Sequence, residues 1–418
     1  MAFNSVNPYC LEHIVALAET RDVVAAEDIF DDRGIKLWAK GGRVTRDLQQ
    51  KLLKRKLMHP LEVALTVDNG VTFASVIDDA LLLVQKDPLL ARIAGSRETL
   101  ALLQAMRGLT LPTPVSLLLT ATRERQRNSF DHSLYTVLIS LGIGAKLRIS
   151  DMDARTLLLA ALLHDLGEMY INPEYLHSPQ RLAPKDWKYV AAHPIIGRML
   201  IREMTKLPEA VADCVAQHHE RLDGSGYPNQ ISGTQSGRLG GWLAVADSVA
   251  AIVARGGNGC AARVALAVRI VPDEFDRDAV SAVLATLQDW PDDVSGSDTD
   301  GCIERAQKAM IRMDTALLAA ASAKKLQQDI FTQQVLNEVI VVLGNVHKSV
   351  HATGIVSGQI GNLIDDPHIQ TEINQVIREV EWRLRNLARN THLRAESQAG
   401  SGAVAALAGV IAALDFEA

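Results

Sequence analysis

The 418-residue chain is poor in cysteine: Cys10, Cys214, Cys260 and Cys302 lie far apart and form no CxxC pair. That spacing argues against a disulfide scaffold and against a cysteine zinc site, and it points to a reducing compartment. Aromatic residues are also scarce, at 4%, while Ala and Leu abound, a balance that favours helix over sheet. A basic surplus is missing. Lys plus Arg is 43 against 49 for Asp plus Glu, a formal charge of −6, so a protein that coats a nucleic acid polymer is disfavoured. The longest apolar run, Gly402 to Leu414, falls short of the ~20 residues that a spanning helix needs. The opening Met1-Ala2-Phe3-Asn4 lacks the charged-then-apolar pattern of a signal peptide. Together these absences predict a cytoplasmic protein with no membrane span.

At roughly 150 residues per domain, the length suggests two to three domains. Residues 1–95 read as a small α+β domain. Gly41-Gly42, between Lys36–Lys40 and Arg43–Thr45, predicts one hairpin. Asp68-Asn69-Gly70, between Val63–Val67 and Val71–Ala74, predicts a second, and Asp47 to Leu57 reads as helix. Residues 96–291 read as a helical domain. Ser150 and Asp153 form a capping box ahead of the apolar run Leu157 to Leu163, with Gly167 as the stop. Pro184 and Pro208 each sit where a helix would begin. Asp292 to Gly301 reads as a linker. Residues 302–418 read as a helical C-terminal region, with one long helix from Ile303 to Val350 and a charged one from Gln370 to Leu393. The fold class is therefore mainly α.

Six of the twelve histidines fall between 132 and 219: His132, His164, His177, His193, His218 and His219. His177 lies among Pro173, Ser178 and Pro179 and reads as a loop residue. The informative neighbours are His164-Asp165, the run His218 to Asp223, and Asp247 inside the apolar stretch Leu243 to Val253. A carboxylate among such neighbours is costly unless it is paired or binds a metal. His164-Asp165 and His218-His219 also fall at expected helix C-termini, where unpaired carbonyls favour a cation. Mixed imidazole and carboxylate ligands suit iron, manganese, zinc or nickel better than magnesium or calcium. The pattern predicts a metal centre.

These stretches resemble an HD-GYP domain, a branch of the HD phosphohydrolase superfamily. The resemblance rests on Asp131-His132-Ser133, Leu163 to Gly167, Ala192 to Gly197, His218 to Pro228, and Ala244 to Asp247. It covers about Asp131 to Val253, so most of the chain lies outside it. It implies an HD-type helical bundle and a phosphodiesterase that hydrolyses cyclic di-GMP or a related nucleotide with a two-metal activated hydroxide. It further implies two divalent ions, iron or manganese. His132, His164, Asp165 and Asp247 would hold the first, and Asp165 would bridge to a second held by His193, His218 and His219. The reacting centre would then comprise Asp165, His193 and Asp223, with Asp223 bonding a ligand imidazole or shaping the loop. Tyr227-Pro228 would form a lip near the substrate or a signalling partner.

Three positions depart from the family pattern. Glu168 stands where a phosphate-binding lysine is usual, and the alternatives for it are repulsion, metal ligation or an outward-facing side chain. Ala254-Arg255-Gly256 replaces an Arg-Pro-Tyr-Arg-like element, and Asn128 replaces a glutamate that supports a third ion in some members. Lys185, Lys188, Arg198, Arg202, Arg221 and Arg255 are the candidates to replace the missing phosphate contacts, with Tyr227 beside them. A rival expectation is a weakly active or inactive signalling protein that binds a nucleotide or partner. His347 and His351, spaced i, i+4, read as a solvated or packed pair. The helices after Ile303 hold no candidate ligand that completes a site, so they are expected to be dispensable for metal binding.

Overall fold

The computed structural model describes residues 3–176, 182–291, 301–355, 367–397 and 402–415. His177, the Asp292–Asp300 part of the expected linker, and the expected turn at Asp365-Asp366 lie outside the described residues. The fold is mainly α, and among the described residues the strands all precede Asp68. The chain packs as two compact units, Met1–Pro179 with Ala192–His218, and Gln180–Ala191 with His219–Ala418. The expected boundaries at 95 and 291 fall inside these units, and the division passes between His218 and His219.

The first unit opens with α1 (Pro8–Ala18), where the Asn7 side chain accepts from the N–H groups of Tyr9 and Cys10. Then come β1 (Val23–Ala25), β2 (Ile29–Phe30), β3 (Lys36–Trp38), α2 (Arg46–Leu52) and β4 (Leu65–Val67). Neither expected hairpin forms. β1 pairs with β4 and β2 with β3, both antiparallel, while Arg43 bridges back to Val24. Asn69 has the positive φ of 52° that its turn signal implies. The turn leads into helix α3 (Phe73–Lys86), because Thr72 and Ser75 cap each other's backbone and start a helix at Phe73. The expected helix through Leu57 stops at Leu52, since Lys56 and Leu57 are drawn into backbone pairing with Ser5 and Asp31.

The helices continue as α4 (Pro88–Ala94), α5 (Arg97–Ala105), α6 (Thr113–Arg125), α7 (Arg127–Lys146), α8 (Asp151–Leu163) and α9 (Pro173–Leu176). After α10 (Trp187–Ala191), which belongs to the second unit, α11 (His193–Met204) and α12 (Glu209–Gln217) complete the first. The Ser150 hydroxyl accepts from Asp153 N–H, as its motif predicts. Leu157 to Leu163 are all buried, as an all-round apolar helix must be. α8 is held by α7 and α12, and α11 packs on α12 and on the 3-10 turn Leu166–Tyr170 that follows α8. This stack sets the ends of α8 and α12 and the start of α11.

The second unit contains α10, then α13 (Arg238–Val253), α14 (Cys260–Arg269), α15 (Arg277–Leu287), α16 (Cys302–Leu326), α17 (Ile330–Ala352), α18 (Pro367–Ser397) and α19 (Ala403–Leu414). The single helix expected from Ile303 to Val350 is two. It breaks after Leu326 because Asp329 caps α17, accepting from both the N–H and the hydroxyl of Thr332. α16 to α19 share a core of residues such as Met313, Leu336, Leu343, Val380, Leu384 and Leu407, joined by Ile270 and Val271. No helix among the described residues is long and apolar enough to cross a membrane.

Candidate metal centre

α8 ends at Leu163 with His164 as its C-cap, and α12 ends at Gln217 with His218 as its C-cap. Both imidazoles therefore sit at the negative end of a helix, where a cation is stabilised. Nδ1 of His164 lies 2.8 Å from Ala161 O, and Nδ1 of His218 lies 2.6 Å from Val215 O. A carbonyl only accepts, so each Nδ1 carries the proton and each Nε2 presents a lone pair. This arrangement, with the outer nitrogen donating to a backbone carbonyl, is usual for metal-ligating histidine.

The Nε2 atoms converge in two pairs. Nε2 of His164 is 3.3 Å from Nε2 of His132, and Nε2 of His193 is 3.2 Å from Nε2 of His218. Asp165 stands between the pairs. Its Oδ2 is 3.0 Å from His164 Nε2 and 3.8 Å from His132 Nε2. Its Oδ1 is 3.4 Å from His193 Nε2 and 3.5 Å from His218 Nε2. Two ring nitrogens and a carboxylate oxygen thus meet on each side of Asp165, a donor set that fits divalent metal. Asp165, His193 and His218 offer ligand atoms within 4.8 Å of one another.

Burial pushes the Asp165 carboxyl up, but the charge and hydrogen bonds of His164, with those of His193 and His218, hold it well below the usual range. Burial and the neighbouring imidazoles push His218 down. Glu168 does not face away into solvent. It is partly buried, and burial together with the charge of Asp165 raises its carboxyl to about 7, against the pull of His193, His164 and His132. Gly167 is not the helix stop, since α8 has already ended. A Cβ there would overlap His193 O and crowd Gly197 N, so glycine lets the turn after α8 lie against the start of α11.

The second unit carries the rest of the motif. His219 Nδ1 is 3.5 Å from Asp247 Oδ2, and the Tyr227 ring stacks on His219 at 4.6 Å. Asp223 shapes the loop, its Oδ1 accepting from Ser225 N–H. Glu220 is buried and accepts from the N–H groups of Asn229 and Ile231; burial still raises its carboxyl to about 7. Arg221, expected as a phosphate contact, is only 8% exposed. Its guanidinium lies over Phe275 and 4.0 Å from Glu274 and donates to Ser248, so its charge is committed inside the unit. Lys188 pairs with Glu396, and Arg198 and Arg202 pair with Glu209. Lys185 and Arg255 are exposed.

Sequence reasoning missed Asn390 and Trp187, which hold this loop from elsewhere in the chain, and Gln230 within the loop, which bonds Asn390. Nothing local marks Asn390, one polar residue in a charged helix. It also saw no acid near His347 and His351, yet Asp314 of α16 reaches within 3.0 Å of His347 Nε2.

Helices that end in histidine, with one aspartate between two imidazole pairs, give a helical protein a cluster that could hold metal. Residues 92–276, under half of the chain, match the family model of the HD domain. Over 124 residues it is 31% identical to the cyclic di-GMP phosphodiesterase PA4108 of Pseudomonas aeruginosa, covering 30% of this chain and 30% of that one. It is 32% identical over 132 residues to a cyclic di-GMP phosphodiesterase of Thermotoga maritima, covering 31% of this chain and 36% of that one. It is 34% identical over 103 residues to the 3'3'-cGAMP-specific phosphodiesterase 3 of Vibrio cholerae, covering 25% and 21%. The matches thus span between 21% and 36% of the length of these relatives.

Proposed function

We propose that this chain is a metal-dependent phosphodiesterase of the HD-GYP type acting on cyclic di-GMP or a related cyclic dinucleotide. One observation carries the reading: the two oxygens of Asp165 face separate imidazole pairs, His132 with His164 and His193 with His218. In this reading Asp165 would be shared by two divalent ions, and by the resemblance Asp247 would belong to the first ligand set and His219, next in the chain after His218, to the second. Iron or manganese suits such a mixed imidazole and carboxylate set. In-line attack on a phosphodiester needs an acidified water and neutralised phosphoryl oxygens, which two divalent ions supply when bound.

The chain's own groups do the positioning. Hydrogen bonds to Ala161 O and Val215 O keep the rings of His164 and His218 from swivelling. Asp223 fixes the turn ahead of Tyr227, and Tyr227 braces His219. The exposed cations Lys185 and Arg255 remain the candidates for substrate phosphate. Cys10, Cys214 and Cys260 form no disulfide among the described residues, which suits a reducing, cytoplasmic setting.

A second reading, binding without efficient turnover, is favoured by Glu168, an acid beside Asp165 where the family carries lysine. The test is metal analysis of the purified full chain with turnover assays on cyclic di-GMP and 3'3'-cGAMP. Product that depends on added Mn2+ or Fe2+ supports the phosphodiesterase. Full metal occupancy and tight nucleotide binding without product supports the second reading. Absence of bound metal overturns the phosphodiesterase.

A further inference from the structure

Asn390 lies near the end of α18, more than a hundred residues beyond the last motif residue, and is only 2% exposed. Its side chain is fully used. Nδ2 donates to Ser225 O at 2.7 Å and to Gly226 O at 3.2 Å, while Oδ1 accepts from Trp187 Nε1 at 3.0 Å. Its backbone carbonyl accepts from Gln230 Nε2 at 2.9 Å. One residue of the C-terminal helix therefore grips the Gly-Tyr-Pro loop at three points and the ring that packs beside it.

That grip leads to His219 by short steps. Trp187 meets Tyr227 edge-on at 5.1 Å, and Tyr227 stacks on His219 at 4.6 Å. Tyr227 N–H donates to His219 O at 3.1 Å. A Cβ on Gly226 would overlap His219 O and Arg221 N, so the Ser225–Tyr227 backbone lies directly against the His219–Arg221 backbone. A shift of Gly226 is thus passed to His219 without slack. The same helix holds the other end of the loop. Leu222 N–H donates to Glu274 O, and the Glu274 carboxylate accepts from Arg383 at 2.7 Å.

We infer that Asn390 is a positioning residue for His219, so that α18 forms part of the support of the metal centre. This rests on the proposed role of His219 as a ligand, and it replaces the expectation that the helices after Ile303 are dispensable for metal binding. Groups that orient a ligand without touching the ion typically change metal affinity by about 10–100-fold when removed.

The test is Mn2+ titration of the full chain, with free Mn2+ read by electron paramagnetic resonance, alongside circular dichroism and Tm. Asn390→Leu keeps the branching and heavy-atom count of the side chain and loses every side-chain hydrogen bond. Asn390→Asp keeps the acceptor for Trp187 and loses both donors to the loop. Each should weaken one of two Mn2+ ions about tenfold or more and leave the other near wild type, with helical content retained. Trp187→Phe should move the same ion in the same direction by less. Wild-type Mn2+ affinity in either folded Asn390 variant overturns the inference, and Asn390→Asp decides it if Asn390→Leu fails to fold. Equal weakening of both ions also overturns it, because a general loss of structure would do that. His219→Ala separates the two levels. If it binds Mn2+ as wild type does, the proposed ligand set is wrong and the inference falls with it. If it loses an ion while the Asn390 variants do not, only the inference fails.

Discussion

Asp165→Asn keeps the size of the side chain and removes one negative charge from between the two imidazole pairs. Oδ2 lies 3.0 Å from His164 Nε2, and Oδ1 lies 3.4 Å from His193 Nε2, so an ion on either side would share this carboxylate. At an effective dielectric near 20, one unit charge acting on a dication ~4 Å away is worth about 8 kcal/mol. That is a ceiling, since water refills the position and the amide oxygen still donates a lone pair. A quarter of it, about 2 kcal/mol, already weakens binding more than tenfold. Because the two oxygens face different pairs, both ions should weaken, and hydrolysis of cyclic di-GMP should fall with them. Mn2+ titration measures this directly: the wild type should hold close to two ions, and the variant should hold neither at a concentration that just saturates the wild type. Loss of a single ion would refute the bridge. Retention of both would refute ligation by Asp165 altogether.

Glu168→Gln removes a carboxyl that burial and Asp165 raise to about 7, so nucleotide should bind several-fold tighter, by an amount that shrinks as salt rises. Metal content should change less than twofold; loss of an ion instead makes Glu168 a ligand. Glu62 accepts from Tyr170 OH and Cys10 Sγ, and burial raises its carboxyl above the ordinary 4.5. Its contribution to stability is therefore fully present below pH 4.5 and lost as pH rises through the raised value. Glu62→Gln keeps the acceptor oxygen, so urea unfolding should find it more stable than wild type at pH 8 and level with it at pH 4. Arg383 is 7% exposed and Glu274 3%. Arg383→Met leaves Glu274 with only the more distant Arg221 and should cost at most about 3–5 kcal/mol in urea unfolding, part of it recovered by adding Glu274→Gln.

The candidate metal-ligating residues were legible because their chemistry is local. His164-Asp165 and His218 to Pro228 are contiguous runs, and helix periodicity with a Ser150 cap places His164 at a helix end. The mainly helical class followed from Ala and Leu content in the same way, and the HD family match covers residues 92–276. Where local signals competed, sequence alone chose badly. Asp68-Asn69-Gly70 does turn the chain, but the Thr72–Ser75 capping box then starts a helix in place of a second strand. A one-residue cap at Asp329 likewise splits what periodicity reads as one helix into α16 and α17. Tertiary structure alone decided which charges are available. Arg221 looks like a phosphate contact in its motif, yet Glu274 and Phe275 have already claimed it. It alone showed Asp165 turning one oxygen to each imidazole pair, and Asn390 reaching Ser225 and Gly226 across 165 and 164 residues of chain. Chain spacing encodes which side chains share a helix face, because that period is local. Which distant groups meet is set by how buried helices pack, and no spacing rule carries that information.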